Sequence, residues 1–548
     1  MKRNFKKFAF ALSLVLCLAG LAFGQETTGE IKGTVKDQTG AVVPNITVTI
    51  EGVNIGFKRE VQTDGNGAYS ARQIPPGIYK VSIGASSGFA AQTKENIQVN
   101  IGDASTVDFS AAASAVGAVV NVTESGVIID ASETKAQSNI STRQIDALPK
   151  GTGFTSLLKT TVAVRPEPLG GQYTINGSTG PENSFLIDGQ ETQNYKNGLL
   201  NTNNDIPYQA IAEIQVKSSG FEAEFGGATG GVINAVTKSG SNEFHGEFGL
   251  QYNIARFNGG PRPVLSLTSV TTGADAGTTG QILEYFPQRR DAGTNEYPTF
   301  SMSGPVVKNK LWFFAIHSPR IINTTRTTNY IQGVGSTRGP RVLAASLVAL
   351  GASNVQTVTE KTTYNYSAFR LDAAPINSLR ISSSFTWNPI QDQRPLLGGT
   401  YVNGSPGTAT LNGVTYQGSQ LAQLQGGRQN SNNFRIEGVW IPTSKLVADV
   451  RYTRGFMNQK LGSYGIASDP RFICQGVPTA FVAVAGCTQG FSNIGSNDKT
   501  TKDVSLRTTI DANVGYSFSG LGHHEVKGGW QKSDILNDVA QGSVLAFG

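Results

Sequence analysis

The run DVSLRTTIDANVGYSF, Asp503 to Phe518, decides the architecture of this chain. Val504, Leu506, Ile510, Val514, Tyr516 and Phe518 share one parity, and Asp503, Arg507, Asp511 and Asn513 take the other. Successive side chains of a strand point to opposite faces, so this segment, when extended, has one apolar and one charged face. The same alternation recurs upstream. In EFHGEFGLQYNI, Phe244, Phe248, Leu250, Tyr252 and Ile254 oppose Glu243, His245, Glu247, Gln251 and Asn253. Leu379, Ile381, Phe385 and Trp387 oppose Arg380, Ser382, Ser384, Thr386 and Asn388, and Leu446, Ala448, Val450 and Tyr452 oppose Asp449, Arg451 and Thr453.

The pattern predicts nine strands, near 243–254, 299–306, 310–319, 363–373, 378–388, 431–441, 444–456, 503–518 and 523–533. Long connections at 255–298, 320–362, 389–430 and 457–502 take turns with tight links at Val307 to Asn309, Ala374 to Asn377, Pro442-Thr443 and Ser519 to Gly522. Loops sorted by length to opposite ends characterise outer-membrane barrels, and a soluble sandwich has no reason to sort them. A Lys or Arg facing lipid at the bilayer midplane costs ~2–4 kcal/mol, so charges must keep to the inner parity. In the strands quoted they do.

Composition agrees with β structure. Only 15% of the 548 residues are charged and 65 are glycine, against roughly 25% charged and about 7% glycine in ordinary soluble domains. Residues 1–24 read as a secretory signal: Lys2, Arg3, Lys6 and Lys7 precede the apolar run Phe8 to Leu21, and Ala22-Phe23-Gly24 offers a small-residue cleavage site. Elsewhere no run of apolar residues is long enough for a transmembrane helix. Four of the six excess positive charges lie in the signal, so removing it takes the formal net charge from +6 to +2 and weakens any case for a nucleic-acid partner. In an oxidising compartment, Cys474 and Cys487 are expected to form a local disulfide rather than a metal site.

Residues 25–112 hold seven short strand-like runs, from GEIKGTVKD to STVDFSA, separated by turn signals, and predict a compact β-sandwich. Among those signals, Asp64-Gly65-Asn66-Gly67 reads as a plain turn, because the later acidic ligands of a calcium loop are missing. Residues 113–128 form a linker containing the extended segment VVNVTE, Val119 to Glu124. Residues 129–241 predict a small α+β domain with helices near Ser141 to Leu148 and Phe154 to Lys159 and strands at FLIDG, IAEIQVK and GGVINAVTK. The barrel strands follow in 242–548.

Taken in order, GEIKGTVKDQTGAVVPNITVTI, VVNVTE, FLIDG, IAEIQVKSSGFEAEFGGATGGVINAVTKSGSNEFHGEF and SGPVVKNKLWFFA resemble the Oar-like group of TonB-dependent outer-membrane receptors. The resemblance covers nearly the whole chain from Gly29 to about Lys532, and its most specific part runs from Phe221 to Gly246. It implies a carboxypeptidase-regulatory-like, carbohydrate-binding-like sandwich in the periplasm, a plug inside the barrel, and ligand import energised by the inner-membrane TonB complex. It also implies that Val119, Val120, Asn121, Val122, Thr123 and Glu124 are the TonB-contacting segment. An extended strand of this kind binds by adding to the sheet edge of a partner.

In the plug, Asp188 and Gly189 mark the FLIDG turn. Gly226, Gly227, Gly230 and Gly231 are expected to permit positive φ and close backbone approach where plug meets wall. FGGATGGVINAVTKSG lacks the Gly-Lys-Ser/Thr ending of a phosphate loop. The family's barrels hold more than twice nine strands, so the expectation is a fragment or a truncated reading frame.

An enzyme is disfavoured: the histidines His245, His317, His523 and His524 form no HExxH arrangement. No cofactor is expected. The alternative function is an outer-membrane glycan-binding or adhesion protein without energised transport. The polar, glycine-rich loops do not distinguish a carbohydrate, peptide or chelate as the external ligand.

Overall fold

The computed structural model describes residues 27–85, 89–111, 120–123, 136–148, 150–167, 172–194, 197–200, 204–220, 225, 228–260, 262, 264–271, 279–286, 290–329, 331–334, 337–340, 355–393, 409–411, 414–416, 425–463, 472–473, 492–493, 499–519 and 523–543. The signal segment, Val119, Glu124, Gly226, Gly227, Cys474 and Cys487 lie outside the described residues.

The seven runs of the N-terminal region pair into two facing sheets. One holds Ala68–Ile74, Gly29–Asp37 and the short strands Ala104–Thr106 and Phe109–Ala111. The other holds, in order, Lys58–Gln62, Thr47–Gly52, Gly77–Ile83 and Gln92–Val99, with Val120–Thr123 added at its edge. Alternate residues, among them Ile31, Val35, Val48, Ile50, Val81 and Ile83, close the core between the sheets. The last predicted run, STVDFSA, is broken in two. Its Asp108 Oδ1 accepts the Thr34 N–H at 2.7 Å and the Thr34 hydroxyl at 2.9 Å, so a side chain replaces ladder bonds at the break. The Asp64 turn closes on itself, its Oδ1 accepting the N–H groups of Asn66 and Ala68 at 2.8 and 2.9 Å.

The next region is a five-stranded sheet in the order Ala136–Ser141, Ile211–Ser219, Val232–Thr237, Ser184–Ile187, Gln190–Glu191, backed by the helices Thr142–Ala147 and Thr155–Leu158. Ser141 starts the first helix, and the Gln144 side chain accepts the Ser141 N–H at 2.9 Å, which satisfies a donor that the helix leaves over. Ile140, Ile145, Leu157, Leu158, Phe185, Ile214 and Ile233 form the core of this unit.

From His245 the chain makes a nine-stranded antiparallel meander: His245–Ile254, Ala292–Val307, Leu311–Asn329, Val355–Ile376, Leu379–Gln393, Gln425–Thr443, Leu446–Ser463, Lys499–Ser519 and His523–Ser543. Its burial is inverted relative to a soluble protein. On Lys499–Ser519, Ile510 and Val514 are 38% and 51% exposed, while Asp511 between them is 2% exposed. Thr509, Ser505, Asp503 and Ser517 are buried with it. Apolar side chains face outward and polar ones inward, as a lipid-facing wall requires. Trp440, Tyr516 and Phe518 lie exposed close to the short turns, where aromatic residues meet the membrane interface.

Two details differ from the sequence expectation. Most strands are longer than alternation indicates, reaching 22 residues in Val355–Ile376 and 21 in Lys499–Ser519, whereas about 9–11 residues cross a bilayer. Segments such as PRIINTTRTTN, 319–329, carry no outward apolar parity yet still pair, because ladder hydrogen bonds need only the backbone. The long connections are correspondingly shorter, and they hold small hairpins of their own, such as Val264–Thr271 with Thr279–Phe286. Secondly, Leu311–Asn329 is apolar on both faces near its start: Trp312, Phe314 and Ile316 point inward and are buried. Phe314, Ile316 and Tyr366 belong to the same core as the α+β unit, which therefore sits inside the curve of the sheet.

Candidate functional site

One hairpin of the inner unit carries most of its charged contacts to the wall. Ser184–Ile187 and Gln190–Glu191 pair with Leu186 opposite Glu191 and Ile187 opposite Gln190, leaving a two-residue loop of Asp188 and Gly189. Both loop residues have positive φ, 50° and 74°. A two-residue loop of this kind matches strand twist only in that conformation, which Asp-Gly adopts readily. A Cβ at Gly189 would also lie 2.3 Å from Arg451 Nη1 and would push the guanidinium aside.

Asp188, 3% exposed, accepts the Thr237 N–H at 2.9 Å and the Thr237 hydroxyl at 2.7 Å. Its Oδ1 also meets Arg370 Nη1 from the wall at 3.4 Å. Arg370 in turn forks onto Asp372, Nε to Oδ2 at 2.8 Å and Nη2 to Oδ1 at 3.2 Å, and donates to the Thr237 carbonyl at 3.0 Å. Arg380 donates to the same Asp372 carboxylate at 3.2 Å. Next to it, Glu437, Arg451 and Asp511 stand directly opposite one another on three successive strands. Such cross-strand opposite charges stabilise a sheet face. Arg451, 1% exposed, donates to Asp511 at 3.1 Å and lies 3.7 Å from Glu437. Arg507 pairs with Glu191 of the hairpin, and Ser431 of the wall donates to Asn204 of the inner unit at 3.1 Å.

A second joint ties the sandwich to the inner unit. Glu213 Oε1 accepts the Ile101 N–H at 2.8 Å and Asn139 Nδ2 at 2.9 Å, and Asn139 Nδ2 also donates to the Ile101 carbonyl at 3.0 Å. Gln215 Nε2 donates to that carbonyl at 2.5 Å, and Gln137 donates to Asp103. The turn after Gln92–Val99 is thus gripped on both backbone groups of Ile101. Burial pushes the Glu213 carboxyl well above the usual carboxylate range, and the Asp103 charge pushes it the same way, against the stabilising bonds from Ile101 and Asn139.

The folded state therefore keeps a proton that the unfolded chain releases from about pH 4.5 upward, and the joint loses stability as pH rises through the elevated pKa. Glu213→Gln keeps the Oε1 acceptor without the charge. It is expected to flatten the pH dependence above about pH 4.5, read as amide exchange at Ile101. An unchanged slope would show that another group sets it.

The sandwich also rests on the rim of the wall. Gly56 donates its N–H to the Gly240 carbonyl at 2.8 Å, and a Cβ at Gly56 would lie 2.2 Å from the Trp312 ring. Phe57 is flanked by the guanidinium groups of Arg59 and Arg380, 5.1 and 5.4 Å from its centroid. Burial first, and the Arg380 charge second, lower Arg59 to about 10.

The structure brings Asp188 and Gly189 to the heart of the wall contact. Gly230 and Gly231 are placed differently from the expectation. Neither has positive φ, and their close neighbours belong to the inner unit: a Cβ at Gly230 would lie 2.4 Å from Ser178 Oγ, and one at Gly231 2.5 Å from Ile175 Cδ1. They thin the backbone inside the plug core rather than at the wall. Val120, Asn121, Val122 and Thr123 form the edge strand of the sandwich. The charge network itself escaped the sequence reading: counting outward from the tight turn at 444–445 sets Glu437 opposite Tyr452, and only the register shift between Trp440 and Thr443 brings it opposite Arg451.

The carboxypeptidase regulatory-like domain model matches residues 30–112, and the TonB-dependent receptor plug domain model matches residues 123–232. The TonB-dependent transporter Oar of Myxococcus xanthus is 29% identical over 344 residues, covering 61% of this chain and 30% of that protein. The ferrienterobactin receptor of Escherichia coli K12 is 37% identical over 93 residues, 15% of this chain and 12% of that one. The chain thus spans less than a third of the length of either curated relative. Among solved structures, the siderophore receptor PirA of Acinetobacter baumannii aligns with a TM-score of 0.44 at 14% identity, over 72% of this chain and 47% of that one. The outer membrane transporter YddB of Escherichia coli aligns at 0.40 and 13%, over 74% and 54%. Both domain models, matched in order ahead of an inside-out β-wall, together with the likeness to Oar, support an Oar-like TonB-dependent receptor of the outer membrane.

Proposed function

We propose that the complete receptor takes up an external ligand across the outer membrane, driven by TonB, with the sandwich on the periplasmic side. The observation that carries this reading is the plug held inside an inverted β-wall by the hairpin at Asp188, a contact built from charge pairs. The plug divides the sandwich and the short turns on one side from the long connections on the other, so ligand recognition falls to the long connections and energy coupling to the sandwich side. The chain's role is transport rather than catalysis, and the family's receptor character supports that.

In this reading Val119 to Glu124 is the segment that TonB grips by strand addition. Deleting 119–124 from the full-length receptor is expected to abolish capture of the TonB periplasmic domain and energised uptake while leaving barrel assembly intact. Uptake that survives the deletion would instead favour a surface-binding or adhesion role.

A further inference from the structure

Val120–Thr123 does not lie free between the sandwich and the plug. It pairs in parallel with the edge strand Gln92–Val99, Gln92 opposite Val120, Thr93 opposite Asn121, Lys94 opposite Val122 and Glu95 opposite Thr123. We infer that the sandwich is a parking site for this segment, and that its edge strand competes with TonB for the same backbone hydrogen-bonding groups. The inference rests on the reading of 119–124 as the TonB-contacting segment.

Three features of the fold point to it. An uncovered Gln92–Val99 would present a row of unpaired N–H and C=O groups, the feature that recruits foreign strands, and here the chain's own segment takes the place. The site is also aligned with the path of the chain. Phe109–Ala111 ends the opposite sheet, and the Gln92 side chain donates to the Ser110 carbonyl at 2.6 Å, drawing the first residue of the edge strand to the point where the chain leaves. Finally, the edge strand continues directly into the turn at Ile101 that Glu213, Asn139 and Gln215 hold on the plug.

The plug joint and the parked segment therefore lie at the two ends of one strand. The pairing spans four residues only, in the weaker parallel arrangement, so it holds the segment in place yet yields to a longer partner strand.

The test uses the full chain with Thr93→Cys and Asn121→Cys, in a Cys474→Ser/Cys487→Ser background, and a short thiol cross-linker. The expected result is efficient cross-linking, and binding of the purified TonB periplasmic domain at least ~10-fold weaker in the cross-linked than in the uncross-linked receptor, equivalent to about 1.4 kcal/mol. Failure to cross-link would overturn the parking, and equal affinity in both states would overturn the competition. A receptor that cross-links but binds no TonB domain in either state would overturn the TonB reading beneath the proposal. Amide exchange on the unsubstituted chain is the check independent of folding defects: slowed exchange at Val120 to Thr123 supports parking, and exchange at the rate of a free peptide contradicts it.

Discussion

Arg370→Ala is expected to destabilise the plug within the barrel by about 3–5 kcal/mol, the usual cost of removing one partner from a buried ion pair. Among the described residues, Arg370 is the side chain that joins Asp188 of the plug, Asp372 of the wall and Thr237. Without it, Asp372, 1% exposed, keeps only the 3.2 Å contact from Arg380. Asp188 keeps only the two bonds from Thr237. Two carboxylates would then sit close together, poorly compensated and away from water.

The loss is read as earlier chemical unfolding in detergent and faster proteolysis of the plug, with the wall strands still protected. A neutral triple replacement, Arg370→Met with Asp188→Asn and Asp372→Asn, is expected to recover much of the stability, because the larger part of the cost lies in the stranded charge. If Arg370→Ala alone is as stable as the parent, the hairpin contact is not what holds the plug.

Ile510→Arg is the second large effect. Ile510 lies nine residues before the end of its strand at Ser519 and faces outward, 38% exposed. Tyr516 marks the interface beside the short turn, and strands tilted ~45° cross the bilayer in about 9–11 residues, so Ile510, six residues further in, lies near the midplane. A lipid-facing arginine there costs about 2–4 kcal/mol. Asn513→Lys on the opposite parity is the control, since Asn513 Nδ2 donates to Asp449 at 2.7 Å and a lysine at that place meets the same carboxylate. Assembly yield and unfolding midpoint in lipid vesicles should drop for Ile510→Arg and change far less for Asn513→Lys. Equal behaviour of the two would deny a difference between the faces.

Much of this organisation is legible in the residues because two-residue alternation reports directly on which face meets lipid. All nine wall strands coincide with alternating segments, and the sandwich strands and both plug helices fall where turn and cap residues place them. The signal fails where alternation has no cause. Beyond the membrane the strands continue on backbone pairing alone, as at Val355–Ile376, and next to the plug both faces are apolar, as at Trp312 and Phe314.

The candidate site was legible only in part. Asp188-Gly189 announces a tight hairpin locally, but Arg370 lies 182 positions away and Arg507 lies 316 positions from Glu191. Those partners follow from the register between strands separated by long connections, which a local pattern does not carry. The glycines at 230 and 231 show the converse error: small residues do signal close approach, yet the sequence does not say what approaches.

The most direct measurement is a nitroxide scan of residues 504 to 516 in the assembled protein in lipid bilayers, comparing collision with dissolved oxygen and with a water-soluble paramagnetic chelate. The account predicts a two-residue oscillation, with Val504, Leu506, Ile510 and Val514 preferring oxygen and Ser505, Thr509, Asp511 and Asn513 shielded from lipid. Chelate access equal at both parities, or a period near 3.6, would contradict a membrane-spanning wall.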